Sequence, residues 1–122
     1  MKHVSSLLLI ASLGLVACEF HARGPDDYRN AVREVLETRS NKIEACYNKA
    51  LKTEKGASGS LVLSITVQPD TGVIEKPEIT QESTAPPALG ECVVQALDGL
   101  KLSPPDAREG HGTFTWEFAQ AT

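Results

Sequence analysis

Two cysteines flank a predicted β-hairpin, and this arrangement constrains the fold more than any other feature of the sequence. Residues 60–82 read SLVLSITVQPDTGVIEKPEITQE, in which aliphatic residues recur at every second position, the period of a strand. Residues 69–72, PDTG, are typical of a turn, because proline presets φ, aspartate bonds its own backbone and glycine tolerates positive φ. Cys46 precedes the hairpin and Cys92 follows it, each within a predicted helix. A bond between these two cysteines would hold both helices on one side of the hairpin.

The first 17 residues are predicted to be a lipoprotein signal peptide, which is set aside in fold prediction. Residues 5–16 are apolar and small, and residues 15–18, LVAC, match the site at which signal peptidase II cuts before a cysteine. A transmembrane anchor is one alternative, although about 20 apolar residues are needed to span a bilayer. A soluble signal with an incidental cysteine is the other. We therefore predict that Cys18 is lipidated and begins the mature chain.

Residues 18–25 are predicted to be a short polar tether, and residues 26–122 a single domain. The seven residues after Cys18 extend no more than about 25 Å, so the domain should lie close to the membrane. Glu19, rather than aspartate, follows the lipidated cysteine, and the usual sorting rule then favours the outer membrane. The predicted location is the cell envelope, with the domain anchored by lipid and facing the periplasm.

Charge and cysteine content exclude some classes of partner. The chain has 12 Lys+Arg and 16 Asp+Glu, a formal net charge of −4, without a basic cluster, so nucleic acid is a poor candidate partner. If Cys18 carries lipid, Cys46 and Cys92 remain as an even pair in an exported protein, for which a disulfide is the default. A redox-active pair is the alternative, but the sequence contains no Cys-x-x-Cys.

The periodicities predict an α+β fold in the order helix-β-β-α-β. The three-stranded antiparallel sheet should have the order 2-1-3, with both helices covering one face. Asp26 or Asp27 is the expected N-cap of the first helix, and Ser83 or Thr84 that of the second. The predicted elements are a helix from 26 to before Gly56 with a possible break at 38–41, strands at 61–68 and 73–80, a helix carrying the apolar stripe Leu89–Leu100, a polar loop at 106–112 and a strand at 113–118.

An ordered set of residues then resembles a known domain. The matching marks are IEACY at 43–47, Ala50-Leu51, the strand from Gly59, Gly72-Val73, Cys92, the Pro104 region and the aromatic strand ending at Phe118. This set resembles the C-terminal domain of AgmX/PglI-type proteins of gliding myxobacteria, itself similar to the TonB C-terminal domain. The resemblance implies the same fold and a non-catalytic, interaction-type role. A tether this short does not span the periplasm, so energy transduction is not implied.

No motif for catalysis, metal binding or a cofactor is present in the sequence. There is no Gly-x-Ser-x-Gly, phosphate-binding glycine loop or His-Glu-x-x-His. His111 lies between two glycines without a partner at ligand spacing, so a solvated loop histidine is the expected state. We predict that the protein is not an enzyme and uses no cofactor.

The last strand is the best candidate binding surface. It lacks proline, and its alternation places Phe114, Trp116 and Phe118 on the inner face. Its outward residues, and the predicted partner-binding edge, are Thr113, Thr115 and Glu117. Such an edge accepts an extended segment of an envelope protein by β-augmentation, or a second copy in a homodimer. The alternative is a periplasmic ligand-binding or enzyme-inhibitor lipoprotein that uses a loop or a pocket between the helices and the sheet, and the 106–112 loop is the sequence feature that supports it. A hydrolase too divergent to show its motif is a third alternative.

Overall fold

A central strand with a neighbour on each side organises the fold. The computed structural model describes residues 22–120, so the predicted signal peptide, Cys18 and residues 19–21 of the predicted tether lie outside the described residues. Strand order is β2-β1-β3, with β1 antiparallel to both neighbours. The predicted α+β fold and the order 2-1-3 are therefore confirmed. The elements are α1 (Pro25–Glu37), α2 (Ser40–Thr53), β1 (Gly59–Val67), β2 (Glu78–Ile79), α3 (Pro87–Ala96) and β3 (Gly110–Phe118).

The first predicted helix is two helices, with the break in the expected place. Thr38 and Arg39 form a turn between α1 and α2. The Thr38 hydroxyl donates to the carbonyl of Val35 at 2.6 Å, and such bonds to preceding carbonyls compete with the helical ladder. The helix resumes at Ser40, with Arg39 in the N-cap position of α2.

The start of α1 differs from the expected cap. Gly24 occupies the N-cap position and Pro25 the first helical position, where its missing N–H costs nothing. Asp26 and Asp27 therefore lie in the first turn. Their carboxylates face the positive end of the helix dipole, so they stabilise the helix without capping it.

The hydroxyls expected to cap α3 bind the central strand instead. The Ser83 hydroxyl accepts the N–H of Val62 at 2.9 Å, and that of Thr84 accepts the N–H of Ser60 at 2.9 Å. These two bonds satisfy backbone N–H groups in the part of β1 that the short β2 does not reach. This edge of β1 is consequently covered by the loop that leads to α3.

The returning strand of the hairpin is shorter than predicted because its pairing contains a bulge. Val67 pairs with Ile74, whereas Ser64 pairs with Glu78, so three steps along β1 match four along the returning chain. The extra residue lies around Pro77, which is buried and has no N–H for the ladder. Regular pairing is thus confined to two residues of β2.

The third helix ends earlier than its apolar stripe suggests, and β3 begins earlier than predicted. A turn follows Ala96, after which Leu100 and Leu102 enter the core from an extended segment. β3 begins at Gly110, so the second half of the predicted 106–112 loop is strand. The core lies between the sheet and the helices, and its most buried apolar residues are Leu61, Leu63, Ile65, Val67, Leu89, Val93, Leu97 and Leu102.

Candidate functional site

The predicted disulfide joins the two helices beside the sheet. Cys46 of α2 and Cys92 of α3 are bonded, with their Cα atoms 5.7 Å apart. The next residue, Tyr47, packs its ring on Phe118 with the centroids 5.2 Å apart and donates its hydroxyl to the carbonyl of Ala57 at 2.6 Å. The disulfide therefore holds α2 to α3, and the aromatic pair holds α2 over the end of β3.

Hydrogen-bond alternation determines which backbone groups of β3 point away from the sheet. The carbonyls of Ser60, Val62 and Thr66 accept N–H groups from the β2 side of β1. In an antiparallel pair, successive residues alternate between the two sides. The odd-numbered residues of β1 therefore bond to β3, and in the observed register their partners are the even-numbered residues from Gly110 to Phe118.

The predicted binding-edge residues are the ones whose backbone groups face outward. Thr113, Thr115 and Glu117 are odd-numbered, so their N–H and C=O groups point away from β1. Direct evidence comes from Thr113, whose carbonyl accepts Nη2 of Arg29 at 2.9 Å. Within residues 22–120, no strand pairs with this side of β3. We call the outward backbone of residues 113–117 the β3 edge; its ends lie about 14 Å apart.

The side chains along the β3 edge lie on the solvent-facing side of the sheet. Thr113, Thr115 and Glu117 are exposed, and opposite them on β1 lie Ser64, Val62 and Ser60. The Glu117 carboxylate accepts the hydroxyl of Ser60 at 2.6 Å. Among residues 22–120, the backbone groups of Thr115 and Glu117 therefore have no strand partner. They lie between small polar side chains, with one negative charge at the C-terminal end of the edge.

A cleft of about 400 Å³ adjoins the other end of the β3 edge, between α1 and the start of β3. The ring of Tyr28 lies against Gly110, and the guanidinium of Arg29 lies 4.8 Å from the centre of the Phe114 ring. Burial raises the pKa of the Tyr28 phenol above 10.0, and its hydroxyl donates to the carbonyl of Arg108 at 2.9 Å. The lining residues used below are Arg23, Asp26, Arg29, Arg108, Glu109 and His111.

A buried aspartate binds two residues that line this cleft, Arg23 and Arg108. The side chain of Asp106 is fully buried and accepts the backbone N–H groups of Arg23 at 2.8 Å and Arg108 at 2.9 Å. The Arg23 guanidinium lies 3.5 Å from the same carboxylate and donates to the carbonyl of Pro104 at 2.9 Å. The last part of the predicted tether is thus docked on the domain. Desolvation acts to raise the pKa of Asp106, but these hydrogen bonds and both guanidinium charges hold it below 3.8.

We expect Asp106→Asn to lower the free energy of unfolding at pH 7 by about 2–3 kcal/mol, because charge-assisted bonds to two backbone donors are lost. A carboxylate with a lowered pKa stabilises the fold above its unfolded pKa and loses that effect as pH falls through its folded pKa. The difference from the parent protein should therefore shrink between pH 5 and pH values below 3.8. Urea unfolding across this range measures it, with the exposed Asp98→Asn as control. A pH-independent difference would contradict the assignment.

Comparison with known proteins gives one likeness of fold. No family model matches the sequence, and no curated protein matches it. Among solved structures, the chain is similar to the TonB C-terminal domain of Helicobacter pylori, residues 179–285, determined by NMR in solution. The TM-score is 0.49 at 14% identity, and the match covers 84% of this chain and 99% of that one. The proposals that follow therefore depend on the geometry of the chain itself.

Sequence reasoning located the β3 edge and, through the 106–112 loop, part of the cleft lining, but not the contacts of Asp106. Arg23 and Asp106 are 83 residues apart, and no local pattern pairs residues at such a distance. The sequence signal for this contact is the position of Arg23 directly before Gly24-Pro25, because a glycine followed by a proline is typical of a helix start rather than of a free linker.

Among residues 22–120, none of the helices has the length and apolar composition that crossing a membrane requires. In the same residues, no group of three or more metal-binding side chains comes together.

Proposed function

We propose that this chain is a non-catalytic lipoprotein of the cell envelope that binds an extended segment of a partner protein along the β3 edge. The observation that carries the proposal is the outward backbone of Thr115 and Glu117, with which no other strand pairs among residues 22–120. Exposed strand edges recruit further strands unless charge, proline or a covering segment prevents it. Within the described residues, the protections of the β3 edge are confined to its two ends, with Glu117 at one end and Arg29, which donates to the Thr113 carbonyl, at the other.

The cellular setting belongs to the same proposal and depends on the sequence. The LVAC motif supports cleavage and lipidation at Cys18, and Glu19 supports the outer membrane. Membership of the AgmX/PglI family is proposed from the ordered set of residues that resembles that domain.

Labelling cells with a radioactive or alkyne-bearing fatty acid tests lipidation. Incorporation should be lost in Cys18→Ala, while Cys46→Ala should still incorporate label.

We expect Thr115→Pro to abolish segment binding while leaving the fold intact. The Thr115 N–H points away from β1, so proline removes a donor from the edge but no bond from the β1–β3 ladder. Thr115→Val keeps the N–H and is the matched control. Loss of capture in Thr115→Pro alone, with an unchanged circular-dichroism spectrum and melting temperature, is the expected result. Equal capture by both variants would contradict binding at this edge.

Photo-crosslinking in cells identifies the occupant of the edge. A photoreactive amino acid is placed at Thr113 or Thr115 in the full chain, and captured proteins are identified by mass spectrometry. One envelope protein recovered from both positions supports the proposal. Crosslinks between two copies would instead indicate a homodimer that pairs through β3.

The cleft favours a second candidate function, a ligand-binding or enzyme-inhibitor lipoprotein. Its volume of about 400 Å³ falls within the range of small-molecule sites. Binding of a ligand to the folded state alone raises the melting temperature with ligand concentration. Cell-wall fragments or wall hydrolases that raise it, with no effect of Thr115→Pro, would favour this function over strand addition.

A further inference from the structure

Arg29 connects the β3 edge to the cleft. Its Nη2 occupies the outward carbonyl of Thr113, the acceptor that an added strand would use first at this end. Its guanidinium also lies over the ring of Phe114 and lines the cleft. A guanidinium has five N–H donors in a planar fork, so one bond to a carbonyl leaves most of them available.

Positive groups surround the cleft end of the β3 edge. Arg108 lines the cleft together with Arg29, and one of its nitrogens donates to the carbonyl of Arg23 at 2.6 Å. Two carboxylates, Asp26 and Glu109, also line the cleft. The Glu109 carboxylate contacts Nε2 of His111.

The opposite end of the β3 edge carries the reverse charge. Glu117 lies four residues beyond Thr113 and directs its carboxylate to the Ser60 hydroxyl on the solvent-facing side. An acidic residue of an added segment is consequently favoured near Arg29 and disfavoured near Glu117. This difference in charge between the two ends allows the β3 edge to select both the sequence and the position of an incoming strand.

We propose that the segment bound at the β3 edge carries a carboxylate at the end that lies beside the cleft, where Arg29 and Arg108 bind it. This inference rests on the proposed function. When the segment arrives, one of its N–H groups takes the Thr113 carbonyl, and Arg29 exchanges that bond for the carboxylate. The displaced guanidinium is already held beside the edge by Phe114, and arginine and carboxylate form paired, parallel hydrogen bonds. The carboxylate is that of an aspartate or glutamate side chain or of a free C-terminus.

Selection from a random peptide library tests this inference. The oxidised protein, produced from the full-length sequence, is used to select nine-residue random peptides displayed in two formats, with the C-terminus either free or linked. We expect selected peptides to alternate as strands and to carry aspartate or glutamate at one terminal position. Enrichment only in the free-terminus format, without an acidic side chain, would assign the carboxylate to the C-terminus.

Three variants separate the role of Arg29 from folding. Arg29→Gln removes the charge but keeps a donor for the Thr113 carbonyl, and Arg29→Lys keeps the charge without the planar fork. Arg33→Ala, an exposed arginine of α1 that does not line the cleft, is the matched control. We expect Arg29→Gln to weaken binding of an acidic peptide about two- to fivefold and to leave binding of its glutamine analogue unchanged.

Each outcome of the selection decides between the two proposals. Strand-type peptides without any carboxylate preference would overturn this inference and leave the proposed function standing. An acidic preference that survives in Arg29→Gln would also overturn it, because the carboxylate would then bind elsewhere. If no strand-type peptide is selected, or if Thr115→Pro selects the same peptides, the proposed function fails as well.

Discussion

We expect the double substitution Cys46→Ala/Cys92→Ala to lower the free energy of unfolding by roughly 4 kcal/mol, the loop-entropy value for a bridge that spans 46 residues. The bridge closes a loop that contains β1, β2 and the start of α3, so its loss enlarges the unfolded ensemble. In a domain of about 100 residues this corresponds to a fall in melting temperature on the order of 20 °C. Thermal and urea unfolding measure both quantities.

Reduction of the parent protein provides the control for the alanine pair. A thiol reductant should lower the stability of the parent by a similar amount and should leave the double variant unchanged. If the double variant were less than about 1 kcal/mol below the parent, packing of α2 on α3 would be sufficient without the bridge. If reductant destabilised the double variant as well, the effect would not arise from this disulfide.

We expect Gly72→Ala to lower the free energy of unfolding by about 2–4 kcal/mol, because two costs coincide at this position. Gly72 has φ of 72° and is buried, and an added Cβ would overlap the carbonyl oxygen of Leu102. The backbone of Leu102 is itself held against Gly72, because the Leu102 N–H donates to the carbonyl of Gly72 at 2.7 Å. The backbone therefore has to move, and urea unfolding at pH 7 reports the cost.

Gly56→Ala is the matched control for Gly72→Ala. Gly56 has φ of 81°, but no atom lies within 4 Å of an added Cβ, so the substitution retains the conformational cost and removes the collision. About 1 kcal/mol is expected from conformation alone. Equal losses in the two variants would mean that the contact with Leu102 adds nothing.

Local patterns predicted the elements whose cause is local. The alternation in β1, the turn at 69–72 and the aromatic alternation ending at Phe118 each produce their element, because side-chain period and turn chemistry act over a few residues. The topology followed from the same patterns, since a parallel connection through α3 requires the third strand to pass β1.

Elements that depend on distant partners were predicted less well. Val73 and Ile74 pair partly with the segment after α3, the former with Lys101 and the latter with the carbonyl of Leu100. The returning strand is therefore interrupted where the sequence alone indicates a continuous hairpin. The early end of α3 has the same cause, because Leu100 is drawn out of the helix into this pairing.

By itself, the sequence determined the fold class, the strand order and the odd-numbered residues of the last strand that form its outer edge. They follow from period-two alternation and from the right-handedness of one crossover connection, both of which are properties of short segments. Only the tertiary structure decided that Arg29 meets the Thr113 carbonyl and that Asp106 binds the N–H of Arg23. Those contacts join residues more than 80 positions apart, and their geometry exists only once the helices pack on the sheet.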